Sequence, residues 1–299
     1  MLPALRSLAN VEVVALASRT ASSAQLAPGL RVFADYQSAL LESEADLAYV
    51  STVNSEHARW AMRCLDAGLH VVVDKPACLS VDEARSLLDR ATSKGRCVAE
   101  ATVFPFHPQF EALRRRFNEE NARLDRVMAA FSFPPLDPDD FRYRRDLGGG
   151  ALNDLGPYVA ATSRILFGSP PHSVHCEVDR RANGVETAFS VLLSYPSHGA
   201  LVGHFGFDTE YQNRLLAFGP ELAVELQRAF TLPADVPAQL ATRRKNKEAI
   251  EKIGPSDMFA NFLQAVIAAI EAENWDSFGS ALINDAQLVD QLRRATGEH

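Results

Sequence analysis

Short apolar runs alternate with stretches of helical periodicity along the first hundred residues. The apolar runs span residues 46–52, 70–74 and 97–101, and the stretches between them, residues 56–67 and 81–94, carry apolar side chains at helical spacing. Short apolar runs bounded by turns predict buried strands, and the periodic stretches predict the helices that connect them. Strands that alternate with helices form parallel sheets, so the first part of the chain is predicted to be an α/β domain.

The start of the chain departs from a complete nucleotide-binding unit. Residues 1–9 predict a helix and residues 11–18 a strand, whereas a nucleotide-binding βαβ unit begins with a strand and a glycine-rich turn. The motif Gly-x-Gly-x-x-Gly occurs nowhere in the sequence. The pattern therefore predicts an incomplete Rossmann-like domain, as though about twenty residues preceded Met1.

Past residue 101 the pattern changes to longer strand-like runs joined by short turns. Residues 126–133 predict a strand, and four more are predicted at residues 171–179, 187–195, 199–207 and 214–219. Helices are predicted at residues 107–118, 150–167, 257–273 and 279–296. Successive strands with short connections favour antiparallel pairing. We therefore predict a truncated Rossmann-like domain at residues 1–101 and an α+β domain with a largely antiparallel open sheet at residues 102–299.

Composition and charge limit the class of protein. The 299 residues are 47% hydrophobic, enough to bury the cores of two domains. A net charge of −8 disfavours a nucleic-acid partner, which needs clustered Lys and Arg. Two isolated basic runs, residues 114–116 and 243–247, are explained by solvated helix faces. No apolar stretch reaches the roughly 18 residues that span a bilayer, so no membrane association is expected and a cytoplasmic location follows by default.

Cysteine and histidine spacing gives no reason to expect a metal. The cysteines form no Cys-x-x-Cys pair, so reduced and mostly buried thiols are predicted, without zinc or a disulfide framework, at Cys64, Cys78, Cys97 and Cys176. The histidines of the second domain lack carboxylate spacing typical of a metal centre; they are His172, His175, His198 and His204. No metal site is assigned.

Two segments carry the candidate chemistry. Three glycines at residues 148–150 are followed by Asp154 and Tyr158, which are four positions apart and therefore face the same way on a helix. The segment at residues 71–76 reads Val-Val-Val-Asp-Lys-Pro, so a buried strand ends in an acid and an amine at the carboxyl edge of a sheet. Together they predict an active site assembled from both domains.

Besides residues 71–76 and 148–158, two more segments carry recognisable motifs, at residues 46–57 and at residues 106–109. Together and in this order along the chain, the four segments resemble the Gfo/Idh/MocA family of NAD(P)-dependent oxidoreductases. Residues 46–57 are similar to the family's strand and turn around Pro-Asn-x-x-His, and residues 67–76 match its Ala-Gly-x-His-Val and Glu-Lys-Pro block, with Asp74 in place of Glu. Residues 106–109, Phe-His-Pro-Gln, and the triple-glycine segment with Asp-x-Gly continue the match. The resemblance covers nearly the whole chain and implies hydride transfer between a nicotinamide and a carbinol or ketone carbon.

The resemblance also implies the roles of the central residues. Many members carry His where this chain has Tyr158, and branches resembling glucose-fructose oxidoreductase, dihydrodiol dehydrogenase or nucleotide-sugar ketoreductases use Tyr. Tyr158 is then the acid/base, Lys75 orients the substrate and lowers the pKa of the phenol, and Asp154 fixes a sugar hydroxyl. Taken alone, Tyr158 also fits a core tyrosine and Asp154 a helix cap.

Cofactor contacts are expected at the ends of the predicted strands. Ser18 and Arg19 end the second strand of the family's fold, and a cation there suits the 2′-phosphate of NADP, although NAD remains possible and a lone surface arginine is the alternative. The resemblance places further contacts at Thr52, Asn54, His57, Asp74, Lys75 and Pro76. His57 equally fits a buried histidine on a helix face.

The expected substrate is a sugar, a nucleotide sugar or a related polyol. The resemblance places substrate contacts at His107 and Asn153, beside Lys75, Asp154 and Tyr158. Arg142, within the run Arg142 to Arg145, could reach a phosphate or carboxylate, or the run could be an exposed loop. A homodimer or homotetramer formed through the second domain's sheet is expected. The alternative is a catalytically silent binding or regulatory homologue, or an inactive fragment, because the phosphate-binding turn is missing.

Overall fold

A computed structural model describes residues 1–19, 29–196 and 199–297. The N-terminal part contains two parallel sheets, one of β1 (Ala15–Ala17) and β2 (Arg31–Phe33), the other of β3 (Leu47–Val50), β4 (His70–Val73) and β5 (Val98–Glu100). Its helices are α1 (Leu2–Ser7), α2 (Tyr36–Glu42), α3 (Asn54–Asp66) and α4 (Val81–Lys94). Alternating strands and helices with parallel pairing confirm the predicted α/β class for this part.

Helix α4 shows how closely the local sequence sets these elements. The hydroxyl of Ser80 accepts from the N–H of Glu83 at 3.1 Å, and the Glu83 carboxylate accepts from the N–H of Leu79 at 2.8 Å. Such reciprocal caps satisfy N–H groups that a helix start leaves open. Gly95 ends the helix at φ +60°, where a side chain would be strained. The helix therefore has the predicted bounds.

The C-terminal part is an eight-stranded sheet flanked by helices. The strand order is β13-β12-β11-β10-β6-β9-β8-β7, and every neighbouring pair is antiparallel except β6 with β9. The strands are β6 (Arg126–Ser132), β7 (Ser173–Ala182), β8 (Val185–Ser194), β9 (Ala200–Gly206), β10 (Gln212–Phe218), β11 (Ala223–Leu226), β12 (Ala238–Arg244) and β13 (Lys247–Ile253). The helices are α5 (Pro108–Glu119), α6 (Ala151–Phe167), α7 (Met258–Glu271) and α8 (Asp276–Ala295). This arrangement confirms the predicted open, largely antiparallel sheet.

The sequence pattern missed part of this fold. Strand β2, helix α2 and the last three strands, β11 to β13, were not predicted. The basic run at residues 243–247 lies on the β12–β13 hairpin, so its assignment to a helix face was wrong, whereas residues 114–116 do lie on helix α5. Strand β13 is mostly exposed and charged, as edge strands are, and so shows no apolar alternation.

The last helix, α8, joins the two parts of the molecule. Leu282 packs into the core of the N-terminal strands, while Leu288 and Leu292 belong to the larger core under the eight-stranded sheet. The Arg164 guanidinium on α6 holds the Asp285 carboxylate of α8 with bonds of 2.8 and 2.9 Å. Helix α8, at the end of the chain, therefore packs on both sides of the boundary that was predicted near residue 102.

Two observations bear on the environment of the protein. The four cysteines are free and buried, as predicted. In the described ranges, no helix has both the length and the apolar character needed to cross a membrane.

Candidate active site

The glycine turn shapes the start of the helix that carries Asp154 and Tyr158. Gly150 has φ +105°, and a Cβ there would lie 2.4 Å from Oε1 of Glu186. The same Oε1 accepts from the N–H of Leu152 at 3.1 Å and so caps helix α6 from strand β8. Glycine is required because a side chain would displace this cap. The turn thus fixes where Asp154 and Tyr158 project.

Lys75 reaches across from the end of strand β4 to Asp154. Its Nζ lies 2.5 Å from Oδ1 and 2.7 Å from the backbone oxygen of Asp154. The other carboxylate oxygen, Oδ2, accepts from Nε of Arg142 at 3.0 Å. An ammonium has three N–H donors, and within the described residues Lys75 uses two of them. The third is available to a substrate oxygen.

The cations determine the charge state of Asp154. Burial alone would raise the pKa of this carboxyl, but Lys75 and Arg142 outweigh it and hold the pKa below its usual range. Burial likewise works to lower the pKa of Lys75, and the Asp154 carboxylate outweighs it and raises that pKa. Both groups are therefore charged at neutral pH. The pair fixes an ammonium at the strand end.

Tyr158 lies in an aromatic cage with the Lys75 ammonium over its ring. The ring centroid is 4.9 Å from that of Phe131 and 5.6 Å from those of Phe104 and Phe230, and Nζ of Lys75 is 5.2 Å away. Burial raises the pKa of the phenol, and the opposing effect of Lys75 does not cancel it. The expectation that Lys75 brings this pKa down toward working pH was therefore wrong. The phenol is neutral and can donate a proton.

The expected cofactor positions at strand ends lie along the carboxyl edges of the parallel sheets. Ser18 and Arg19 follow β1, and the Arg19 guanidinium lies 5.6 Å from the centroid of the Tyr36 ring. Thr52 comes two residues after β3. Asp74, directly after β4, accepts from the hydroxyls of Ser51, at 2.5 Å, and Tyr49. Dinucleotides bind at such edges, so these residues fit a nicotinamide cofactor.

The other expected cofactor residues make contacts within the protein. Both ring nitrogens of His57 lie against carbonyl oxygens, that of Pro76 at 2.8 Å and that of Thr52 at 2.9 Å. The Asn54 amide donates to the oxygen of Gly148 at 2.9 Å. Pro76 follows Lys75 in a cis peptide bond. These side chains tie the strand ends to the glycine turn, and so position Lys75 against Asp154.

Some of the residues expected to contact the substrate lie in the site, and others make contacts within the protein. Arg142 lies in the site, whereas Arg144 pairs with Asp146 at the surface. The Asn153 amide donates to the oxygens of Gly148 and Gly149 and accepts from Arg293 at 2.8 Å, so it supports the turn.

His107 is buried and is the N-cap residue of helix α5. Its Nδ1 accepts from the N–H of Gln109 at 3.2 Å, and Nε2 has no hydrogen-bond partner in the part of the chain that the structure describes. Burial lowers the pKa of His107. This imidazole is therefore neutral at pH 7.

Sequence reasoning missed three residues that support the site. Glu186 caps helix α6, and Arg293 binds Asn153. Glu100 accepts from the N–H of Ala77 at 2.8 Å and from the hydroxyl of Thr102 at 2.6 Å, directly below the Lys75 loop. Glu100 ends strand β5 and lies one residue before the end of the strand predicted at residues 97–101, which was a usable signal. Glu186 and Arg293 are distant in sequence and gave none.

Within the described ranges, no group of three or more His, Cys, Asp and Glu side chains is arranged to hold a metal ion. The side chains that meet at the site are an ammonium, a paired carboxylate and a neutral phenol, at the carboxyl edge of parallel strands. Those are the elements of an oxidoreductase that moves a hydride to or from a nicotinamide and a proton to or from the substrate oxygen.

Comparison with protein families agrees with that class. The model of the Gfo/Idh/MocA oxidoreductase family, NAD-binding Rossmann fold, matches residues 1–102, and that of the family's C-terminal domain matches residues 121–225. The chain belongs to the Gfo/Idh/MocA family of NAD(P)-dependent oxidoreductases.

Two proteins of related sequence and one solved structure show what the chain is similar to. A dTDP-3,4-didehydro-2,6-dideoxy-alpha-D-glucose 3-reductase of Streptomyces violaceoruber is 32% identical over 99% of this chain and 91% of its own. The D-xylose 1-dehydrogenase (NADP(+)) 2 of Haloferax volcanii is 28% identical over 91% of this chain and 85% of its own. The crystal structure of KijD10, a 3-ketoreductase from Actinomadura kijaniata, in complex with NADP and TDP-benzene, has a TM-score of 0.93 and 27% identity and covers 99% of this chain and 93% of its own.

Proposed function

We propose that the protein is an NADP-dependent oxidoreductase that interconverts a carbinol and a ketone on a sugar or nucleotide sugar. The contact of Lys75 with Asp154, beside the Tyr158 ring, carries the proposal, because it brings a proton donor and an oxyanion-stabilising cation to one place. The similarity to a dTDP-sugar 3-reductase and to an NADP-dependent xylose dehydrogenase supports the substrate class. An assembled acid/base site favours an enzyme over a silent homologue.

Each residue has a distinct part in the reaction. When bound, the nicotinamide supplies or accepts the hydride. The neutral phenol of Tyr158 donates its proton to the substrate oxygen as a carbonyl becomes an alkoxide. The remaining N–H donor of Lys75 stabilises charge on that oxygen. Asp154 keeps Lys75 charged and correctly placed, with Arg142 holding its second oxygen.

Removing one hydroxyl tests the proposal. We expect Tyr158→Phe to lower kcat by roughly 10²- to 10⁴-fold, the range for loss of a general acid, without changing NADPH affinity. Turnover would be followed by NADPH absorbance with keto sugars, nucleotide-linked keto sugars and aldoses. Tyr195→Phe is the matched control, because it removes a buried hydroxyl that donates to Ser163 at 2.6 Å, its one hydrogen bond within the described residues. Normal turnover by Tyr158→Phe would contradict the assigned role.

The choice of NADP rests on Arg19. Its guanidinium lies at the end of β1, where the adenosine ribose of a dinucleotide is recognised. We expect Arg19→Ala to weaken NADPH binding about tenfold and to leave NADH binding unchanged, because only NADPH has a 2′-phosphate to pair. Fluorescence titration measures both. Arg114→Ala, an exposed arginine on helix α5, is the control. Equal losses for the two cofactors would refute phosphate recognition by Arg19.

We further propose a homodimer or homotetramer that associates through the open face of the large sheet. A row of residues crosses this face in register, and four of its apolar members are exposed: Met128 is 51% exposed, Leu192 and Val202 43% each, and Ile250 65%. Exposed apolar patches of this kind mark interaction surfaces. A cytoplasmic location fits the four free cysteines, since cytosolic thiols stay reduced.

A further inference from the structure

Arg228 has a backbone conformation unlike that of any other non-glycine residue that the structure describes. Seven non-glycine residues in the described ranges have positive φ, and six of them lie between 46° and 64°, in the ordinary left-handed region. Arg228 alone has φ +116°. Such a conformation is unfavourable for a residue that carries a side chain, so the surrounding structure must impose it.

A buried amide imposes this conformation. The N–H of Arg228 donates to the backbone oxygen of Asn213 at 2.8 Å, and the Asn213 side chain accepts from the N–H of Phe230, also at 2.8 Å. On the other side, the buried Gln109 donates to the backbone oxygens of Arg228 and Ala229 at 3.2 Å. The loop that carries Arg228 is therefore fixed from both sides.

The same asparagine positions an aromatic ring beside Arg228. The Asn213 amide donates to the phenol oxygen of Tyr211 at 2.8 Å, and Thr231 lies 3.2 Å from that oxygen. The Tyr211 ring is 44% exposed, and the Arg228 guanidinium is 5.9 Å from its centroid. Arg228 is exposed and makes no ion pair with a carboxylate in the ranges that the structure describes. The guanidinium projects from a fixed backbone beside an accessible ring, and such a pair of groups can bind a phosphate and stack on a planar base.

The backbone that carries this pair adjoins the aromatic cage of Tyr158. Phe230, two residues after Arg228, contacts the Tyr158 ring at 5.6 Å. Consecutive Cα atoms are about 3.8 Å apart, so the Cα atoms of Arg228 and Phe230 are within about 7.6 Å. Asn213 is paired across the sheet with Phe131, which also contacts Tyr158. A substrate that reacts at Tyr158 could therefore reach the pair with a part remote from the reacting carbon.

We propose that Arg228 and Tyr211 form a subsite for the nucleoside diphosphate part of the substrate, Arg228 pairing the diphosphate and Tyr211 stacking on the base. The subsite deepens the proposed function, on which it rests, by selecting nucleotide sugars over free sugars. It lies at the start of β10 and on the loop after β11, away from the strand ends assigned to the cofactor.

Calorimetric titration with dTDP, in the presence of saturating NADP⁺, tests the subsite. NADP⁺ keeps dTDP from the phosphate positions of the cofactor. We expect the wild-type protein to bind dTDP and Arg228→Gln to bind it at least tenfold more weakly, with Arg228→Lys intermediate. Arg114→Gln removes an exposed arginine from helix α5 and should stay within twofold of wild type. Unchanged affinity in Arg228→Gln would overturn the proposal.

Inorganic pyrophosphate tests the diphosphate contact apart from the base contact, because it has a diphosphate and no base. We expect Tyr211→Leu to weaken binding of dTDP but not of pyrophosphate, while Tyr211→Phe, which keeps the ring, binds dTDP normally. If Tyr211→Leu leaves dTDP affinity unchanged, the assignment to a nucleoside diphosphate is overturned. Melting temperatures of all variants exclude misfolding as the cause of a loss.

The titration also separates this subsite from the proposed reaction. Binding needs no turnover, so dTDP affinity that depends on Arg228 would stand even if no sugar were oxidised or reduced. Conversely, a protein that turns over free sugars through Tyr158 and binds no dTDP would retain the proposed function and overturn the subsite.

Discussion

Asp154 is a charged group that the active site buries almost completely, at 4% exposed. Both of its carboxylate oxygens are bonded to cations, Lys75 and Arg142, at 2.5 and 3.0 Å. Removal of this carboxylate would leave Lys75 charged and without a carboxylate partner among the described residues, and Arg142 would keep its ion pair with Asp140. At the scale of single residues, this carboxylate is therefore expected to support the stability of the fold as well as its proposed role in the site.

Replacing Asp154 tests that role. We expect Asp154→Asn to lower the free energy of unfolding by about 3–5 kcal/mol at pH 7, because Lys75 and Arg142 lose a buried partner. Urea denaturation measures the change. Asp146→Asn is the control, since Asp146 pairs with Arg144 at the surface, where ion pairs contribute little. Similar small effects for both variants would contradict the argument.

The difference between wild type and Asp154→Asn should depend on pH with a defined sign. The pKa of Asp154 in the folded protein lies below its unfolded value of about 3.9, so its contribution is complete above about pH 4. It is lost as pH falls through the folded-state pKa. Lys75 has the opposite sign: its raised pKa gives a contribution lost as pH rises through the folded value, above about 10.4. Denaturation at pH 3 should show a smaller difference than at pH 7.

At the scale of elements, the glycine turn and helix α6 act as one unit. The turn brings the Glu186 cap against the helix start, and the helix then projects Asp154 and Tyr158 from consecutive turns of one face. The shared face of Asp154 and Tyr158 follows from helix geometry, so the sequence predicted it. The cap depends on a strand more than thirty residues later, so only the tertiary structure shows why three glycines precede the helix.

Gly150→Ala tests this unit. A side chain at φ +105° is strained by about 1–3 kcal/mol, and its Cβ would also displace the Glu186 carboxylate. We therefore expect a larger loss of stability than for Gly95→Ala, which has positive φ but open space around it. Thermal melting compares the two, and kcat should fall only for Gly150→Ala. Equal losses of stability would mean that the overlap with Glu186 costs nothing.

At the scale of the whole molecule, helices cover one face of the eight-stranded sheet, and the other face is open. The row of Met128, Leu192, Val202 and Ile250 lies on the open face, while the aromatic cage of Tyr158 lies on the covered one. Successive residues of a strand point to opposite faces of the sheet, so Phe131 and Met128, three positions apart on strand β6, lie on opposite faces. The proposed association surface and the candidate active site therefore lie on different faces of one sheet.

Charges placed on the open face test the assembly. We expect Met128→Lys with Val202→Lys to give a monomer by size-exclusion chromatography with light scattering, because two ammonium groups would face their copies across the interface. Leu41→Lys is the control, at a residue 73% exposed on helix α2. An unchanged mass would exclude this face as the interface. NADPH binding should be unchanged in either variant.

The sequence by itself determined the features that depend on short spacing. Apolar runs predicted strands β3 to β5, helical spacing predicted that Asp154 and Tyr158 share one face, and the end of strand β4 predicted the position of Lys75. Each of these features follows from backbone geometry. The tertiary structure alone decided the rest. The raised pKa of Tyr158 reflects burial by Phe104, Phe131 and Phe230, which approach from separate elements, and the subsite around Arg228 depends on an amide from another strand. Burial and long-range contacts have no signature in the local sequence pattern.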